Sequence, residues 1–155
     1  MKALLACALV SAMNVTLSAS DSVATDVGTR AKGAGRIVVA KVVNVHAHFD
    51  VNRWGDQLIV SDTELQVEET LKGAHAGAMS VALEGGTVGD ITLDVSDMPS
   101  MKNGDRAVMF LNETPAGGHV PWGRGKGVLK LDASDRVEGS DVTLDDVKRM
   151  VLAAR

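Results

Sequence analysis

The feature that most constrains the fold is an alternation of apolar and polar residues between Ile37 and Gly73. The apolar members of each half share one parity: Val43, Val45, Ala47 and Phe49, then Ile59, Leu65, Val67 and Leu71. A period of two places every second side chain on the same face of a strand, so one face is buried and one is in water. The polar residues around Gly55 and Asp56 supply turn chemistry between the halves. The stretch is therefore predicted to form one long β-hairpin.

The first half of the hairpin begins with a segment, residues 37–43, that is apolar on both parities. Such a segment indicates either a strand covered on both faces or a β-bulge near Lys41 that switches the buried parity. Long, bent and bulged strands are typical of small closed barrels.

Downstream patterns predict further strands over residues 79–83 and 106–111, and a last strand within residues 120–131. Residues 87–95 form either another short strand or a crossing loop. The period changes at the C-terminus, where one helical face carries Leu144, Val147, Met150 and Val151. Thr143 and Asp146 have the spacing of a capping box, which predicts where this helix begins. The predicted fold is mainly β, a small closed barrel of about five strands with a C-terminal helix.

Length and composition limit the possible partners. The chain has 155 residues, enough for one domain with a substantial core. Its net charge of −4 disfavours nucleic acid, because phosphate binding requires a basic surface. Aromatic residues make up 3%, which leaves few stacking platforms for bases or sugars. The single cysteine, Cys7, excludes an intrachain disulfide.

Residues 1–24 have the pattern of a signal peptide, which predicts an exported protein, periplasmic or extracellular. Lys2 precedes a short apolar stretch, and Ser22-Val23-Ala24 and Leu17-Ser18-Ala19 are two candidate cleavage sites. The apolar stretch is too short for a membrane span, which takes roughly 20 residues. Leu4-Leu5-Ala6-Cys7 spells a lipobox close to Met1, so lipidation of Cys7 is an open alternative. Residues 25–36 are predicted to be a flexible leader, and residues 37–155 a single domain.

The order of elements resembles a known family. Val39-Ala40-Lys41-Val42-Val43, Glu69-Thr70-Leu71-Lys72-Gly73 and a Gly-Asp turn before Val108-Met109-Phe110-Leu111 are similar to netrin-like and metalloproteinase-inhibitor-like modules. Uncharacterised exported bacterial proteins of the same plan are similar too. The resemblance covers roughly residues 37–131 and implies an OB-like barrel. The animal inhibitors chelate zinc through an N-terminal cysteine, and no cysteine follows residue 24, so that mechanism is not carried over.

One face of the hairpin carries candidate metal ligands. His46, His48 and Asp50 share a parity, and folding the hairpin places Asp62 opposite His46, with Glu64 beside it. Imidazoles with nearby carboxylates are ligands for Zn²⁺ or Cu²⁺. The alternative is a solvated face with cross-strand pairs of histidine and acid.

Candidate contact residues lie in predicted loops. Arg53 and Trp54 occupy the hairpin turn and Trp122 follows Pro121, and an exposed loop tryptophan is a common contact hot spot. The alternative is that each tryptophan covers an end of the barrel. Residues 123–127 lack the spacing and following helix of a phosphate-binding loop, and are predicted to be a bulged entry to the last strand.

The sequence contains neither G-x-S-x-G nor H-E-x-x-H, so no catalytic motif indicates an enzyme. The predicted function is therefore that of an exported, non-enzymatic binding domain for a protein or peptide. Two alternatives remain open: a periplasmic metal-binding protein that uses the histidine face, and a protease inhibitor, which only the family resemblance implies.

Overall fold

The computed structural model describes residues 19–52 and 55–154. Within them the fold is mainly β with a C-terminal helix, as predicted. The helices are α1 (Ala19–Gly33) and α2 (Leu144–Ala153), and Arg124–Gly127 forms a 3-10 helix. The strands are β1 (Arg36–Val51), β2 (Gln57–Lys72), β3 (Ala78–Glu84), β4 (Gly86–Val88), β5 (Ile91–Leu93), β6 (Arg106–Glu113), β7 (His119–Pro121) and β8 (Val128–Leu131).

The predicted long hairpin is confirmed as β1 and β2, which pair antiparallel from Ile37 opposite Lys72 to Val51 opposite Gln57. Val42 pairs with Leu65 and Asn44 with Glu64, which leaves Val43 as a bulge. The bulge lies two residues beyond Lys41, near which a bulge was one of the two alternatives that the sequence left open. It switches the inward parity from even to odd residues.

The remaining strands connect the two edges of this hairpin. β2 pairs with β3, β3 pairs parallel with β7, β7 pairs with β6, and β6 pairs back with β1. The contact between β1 and β6 runs from Arg36 opposite Leu111 to Lys41 opposite Arg106. β4 and β5 form a separate two-stranded sheet. β1 therefore has neighbours on both edges up to Lys41, and pairs with β2 alone beyond it.

Two hydrophobic clusters lie on opposite faces of the first half of β1. Odd residues such as Ile37 and Val39 pack under the two helices, with Phe110 and Val147. We call this group the helix-side cluster. Even residues such as Val38, Ala40 and Val42 pack between the strands. All residues from Ile37 to Ala40 are at most 2% exposed, so this part of the segment 37–43 is covered on both faces, whereas Val43, which the alternation predicted to be buried, is 42% exposed.

The expectation of a flexible leader over residues 25–36 is wrong. Helix α1 extends to Gly33, and β1 begins at Arg36. Val27 and Ala31 lie four residues apart on one face of α1 and are 0% and 4% exposed, because they pack in the helix-side cluster. Tertiary burial thus orders a stretch with little periodicity of its own. The predicted signal peptide lies largely outside the described residues, as do Cys7 and its lipobox.

The last predicted strand is interrupted. β7 and β8 both pair with β6, at Leu111 opposite Pro121 and Met109 opposite Val128, and the 3-10 helix lies between them. Gly123 and Arg124 both have φ near +62°, a left-handed conformation that no strand continues through. A 3-10 turn rather than a simple bulge therefore precedes β8.

Helix α2 begins as the sequence predicted. The Thr143 hydroxyl accepts a hydrogen bond from the Asp146 backbone N–H at 3.2 Å, and the Asp146 carboxylate accepts one from the Thr143 N–H at 3.0 Å. These reciprocal bonds form a capping box. They satisfy N–H groups that the first helical turn leaves unpaired.

Candidate functional site

The outer face of the hairpin holds the predicted histidine group. His46 pairs directly with Asp62 across the two strands, and the rings of His46 and His48 stack with centroids 6.1 Å apart. The Nδ1 atom of His48 lies 3.7 Å from a carboxylate oxygen of Asp62. The predicted common face and the predicted position of Asp62 are therefore confirmed.

These residues do not assemble a metal site. The carboxylate of Asp50, the fourth predicted ligand, accepts a hydrogen bond from the neighbouring Val51 N–H at 2.7 Å. Over residues 19–52 and 55–154, no group of three or more His, Cys, Asp or Glu side chains has the arrangement to hold a metal ion. The described geometry of the outer face is that of cross-strand pairs between histidine and acid.

The opposite face of the hairpin is concave and forms one wall of a cavity of about 350 Å³. Val45, Ala47 and Thr63 line it from the hairpin, and Leu93 and Met98 line it from the other side. Short hairpin β4–β5 lies over this wall. A Cβ at Gly86 would lie 3.0 Å from the Cβ of Ala47, so the glycine permits this close approach.

Two hydroxyl groups of β2 differ in their bonding at this cavity. Ser61 is 7% exposed, and its Oγ donates a hydrogen bond to the Gly85 carbonyl at 2.7 Å. Thr63 is fully buried, and its Oγ1 has no hydrogen-bond partner among the described protein groups. An unpaired buried hydroxyl lowers the free energy of unfolding. The hydrogen bonds of the described residues therefore do not explain why a threonine, and not an apolar residue, is buried at position 63.

Arg124 forms two ion pairs beside the cavity, one of them with the lining residue Glu84. Its guanidinium lies 2.5 Å from the Glu84 carboxylate and 3.0 Å from the Asp97 carboxylate. The glycine that follows, Gly125, packs so closely that a Cβ there would lie 1.6 Å from the Asp97 carbonyl oxygen. The glycine-rich segment is therefore a packed connection, and its arginine is already paired with two acids.

The far end of the hairpin exposes apolar side chains. Phe49, Val51 and Ile91 are 43%, 60% and 59% exposed. A groove of about 270 Å³ lies among Phe49, Leu58 and Ile91. The sequence predicted a buried apolar face along the whole hairpin, but that face is covered only as far as hairpin β4–β5 reaches. We call Phe49, Val51 and Ile91 the hairpin-end patch.

The three predicted contact residues fall into two groups. Arg53 and Trp54 lie outside the described residues. Trp122 is half-buried against the helix-side cluster, and a Cβ at Gly33 would lie 2.3 Å from its indole nitrogen. Its indole thus packs on the end of α1. A packing role, and not a contact with a partner, was the alternative that the sequence left open for this tryptophan.

The hairpin-end patch was missed from sequence because Ile91 lies in a segment with no clear period. The signal that was available is the continuation of the apolar parity through Phe49 and Val51 to the polar turn. No family model matches the chain, and no curated protein matches it significantly. Within the described part of the chain, no helix has the length and apolar character needed to cross a membrane.

Proposed function

We propose that this chain is an exported, non-enzymatic binding module that recognises a protein or peptide partner through the hairpin-end patch. The observation that carries the proposal is the exposure of Phe49, Val51 and Ile91, of which Phe49 and Ile91 line one groove. Neighbouring exposed apolar side chains around a groove are typical of interaction sites, whereas isolated ones are ordinary surface features. The groove beside Leu58 would accept an apolar side chain of the partner.

We further propose that the sheet is a small closed OB-like barrel of the netrin-like kind. The pairing order supports this proposal, because it runs from β1 through β2, β3, β7 and β6 and returns to β1. The parallel pairing of β3 with β7 joins strands β1, β2 and β3 to strands β7 and β6. In such a barrel the hairpin-end patch projects beyond the closed part, where a partner has access to it.

Export follows from the sequence of residues 1–24, with the charged start, apolar stretch and small residues of a signal peptide. The non-enzymatic assignment rests on the lack of a nucleophile and base motif in the sequence. Arg53 and Trp54, which the sequence assigns to the hairpin turn, are proposed to extend the contact surface. Trp122 is excluded from it because its indole packs on Gly33.

The test is selection from a displayed random-peptide library on the wild-type protein. Recovered peptides are then measured on a triple variant, Phe49→Ser, Val51→Ser and Ile91→Ser, by calorimetry. We expect at least a roughly fivefold loss of affinity, because truncating a contact hot spot costs more than about 1 kcal/mol. Leu152→Ser is the matched control, since Leu152 is 67% exposed on α2, away from the patch.

Equal binding by the triple variant and the wild type would show that the patch is not the binding surface. Turnover of a broad hydrolase substrate panel by the purified protein would contradict the non-enzymatic assignment. A stable complex with a metalloprotease in gel filtration would narrow the partner to the class that the family resemblance implies.

A further inference from the structure

One edge of strand β1 is open. The pairing with β6 ends at Lys41, and the last bond on that side is from the Gly104 N–H to the Val42 carbonyl at 2.9 Å. Beyond it, residues 44–51 pair with β2 alone among the described strands, and Val43 is the bulge before them. We call residues 43–51 the free edge. It contains neither lysine nor proline, the residues that commonly prevent an exposed edge from pairing with another chain.

The direction of the backbone groups along the free edge follows from the turn. The Asn52 N–H donates to the Asp56 carbonyl at 3.0 Å, so Asn52 and the even-numbered residues back to Asn44 direct their backbone groups toward β2. Odd-numbered residues therefore direct theirs outward. Consistent with this, the outward N–H of Val51 is bonded by the Asp50 carboxylate instead of by β2.

We propose that the free edge binds the free edge of a second copy of this chain, antiparallel and centred on His48. In this register Val45 lies opposite Val51 of the second copy, and Ala47 lies opposite Phe49. Both pairs consist of odd residues, so each exchanges two backbone hydrogen bonds, about eight in the whole dimer. The Val51 N–H then bonds to the carbonyl of the opposing Val45, which releases the Asp50 carboxylate.

Charge complementarity and the length of the pairing together favour this register. It places His46 opposite the released Asp50 of the second copy, twice by symmetry. These are non-hydrogen-bonded positions, where opposing side chains approach most closely. The chosen register places His48 opposite its own copy once, whereas a register centred on Ala47 would place His46 opposite His48 twice. A register centred on Phe49 would place His48 opposite Asp50, but it would exchange about six backbone hydrogen bonds instead of eight. The chosen register also covers the apolar side chains of Phe49 and Val51, which are 43% and 60% exposed in the single chain.

The dimer is expected to be weak, because a single pair of short strands lies at the low end of specific interface sizes. It goes beyond the proposed partner binding: the two surfaces share Phe49 and Val51, but the dimer depends on the backbone edge and on the pairs of His46 with Asp50, which the proposed partner binding does not use. Its signature is a concentration-dependent association that responds to changes at particular residues of β1.

The first test is disulfide cross-linking in the full chain with Cys7→Ser, so that the introduced thiol has no competitor. His48→Cys places two thiols directly opposite each other, at a spacing close to that of a disulfide. Asn44→Cys is the matched control on the same face of the same strand, and its two thiols would be roughly 27 Å apart at about 3.4 Å per residue. We expect covalent dimer from His48→Cys and none from Asn44→Cys.

The second test is a charge exchange measured by sedimentation equilibrium. His46→Asp places two carboxylates opposite each other twice per dimer, and we expect a roughly 2- to 30-fold weaker association from the size of cross-strand charge effects. Adding Asp50→His restores the pair in reverse, and the association should return close to the wild-type value. Asn44→Asp is the control and should change little.

Three results would each overturn the proposal. They are a wild-type protein that stays monomeric up to about 1 mM, equal cross-linking of the two cysteine variants, and a double variant that associates as weakly as His46→Asp. Circular dichroism of each variant establishes that the fold is retained, so that a lost dimer reports on the edge.

Discussion

Replacing Thr63 with valine should stabilise the protein. Thr63 is fully buried in β2 at the wall of the cavity, and its hydroxyl has no partner among the described protein groups. Valine has nearly the same shape and is equally suited to a strand, so the substitution exchanges an unpaired hydroxyl for a methyl group.

The magnitude follows from the burial. A hydroxyl transferred from water to the protein interior without a hydrogen bond costs about 1–3 kcal/mol. Thr63→Val removes that cost and leaves the packing volume unchanged, so the free energy of unfolding should rise by about 1–3 kcal/mol. With a urea dependence of about 2 kcal/mol per molar, the midpoint should rise by about 0.5–1.5 M.

Ser61→Ala is the matched control, two residues away on the same strand and face. Its hydroxyl is bonded to the Gly85 carbonyl at 2.7 Å, so its removal leaves a buried carbonyl without that donor and should lower the free energy of unfolding by about 1–3 kcal/mol. Urea denaturation followed by tryptophan fluorescence measures both variants. A Thr63→Val protein as stable as the wild type, or less stable, would refute the reasoning and show that the hydroxyl is bonded in solution.

Two further predictions concern the connection to β8 and the start of α2. Gly125→Ala should destabilise by at least about 2 kcal/mol in urea denaturation, because its Cβ would overlap the Asp97 carbonyl, whereas Gly77→Ala, with open space around it, should change stability by less than about 0.5 kcal/mol. Hydrogen bonds from the Thr143 hydroxyl and backbone N–H lower the pKa of the Asp146 carboxyl. The unfolded chain therefore binds this proton more readily, so the stabilisation is complete at neutral pH and is lost as the pH falls below the usual range of an aspartic acid. When the pH is lowered from about 7 to about 3, the free energy of unfolding measured in urea should therefore fall by less in Asp146→Asn than in the wild type. An equal fall would contradict the role given to the Asp146 carboxylate.

Local sequence patterns were sufficient for the elements whose own residues carry a strong period. The alternation of residues 43–49 predicted β1 and the position of Asp62 opposite His46, because pairing along one hairpin follows from its turn. A bulge was one of two alternatives that the apolar segment 37–43 indicated. The spacing of Thr143 and Asp146 predicted the start of α2, because a capping box needs only neighbouring groups.

Other features required contacts between distant segments. Val27 and Ala31 form a helix face only because the core gives them a surface to pack on, so residues 25–33 looked like a leader in the sequence. The sequence makes Trp122 a candidate contact residue, but its indole packs on Gly33, which is distant in the chain.

The sequence by itself determined that this chain forms a long bulged hairpin, a mainly β domain and a capped C-terminal helix. These depend on interactions among residues close in the chain, which a periodic pattern records directly. Only the tertiary structure decided which part of the hairpin is covered, where the cavity lies and which edge of β1 is open. Those outcomes depend on how far hairpin β4–β5 and strand β6 extend over β1, and such long-range coverage leaves no period in the sequence.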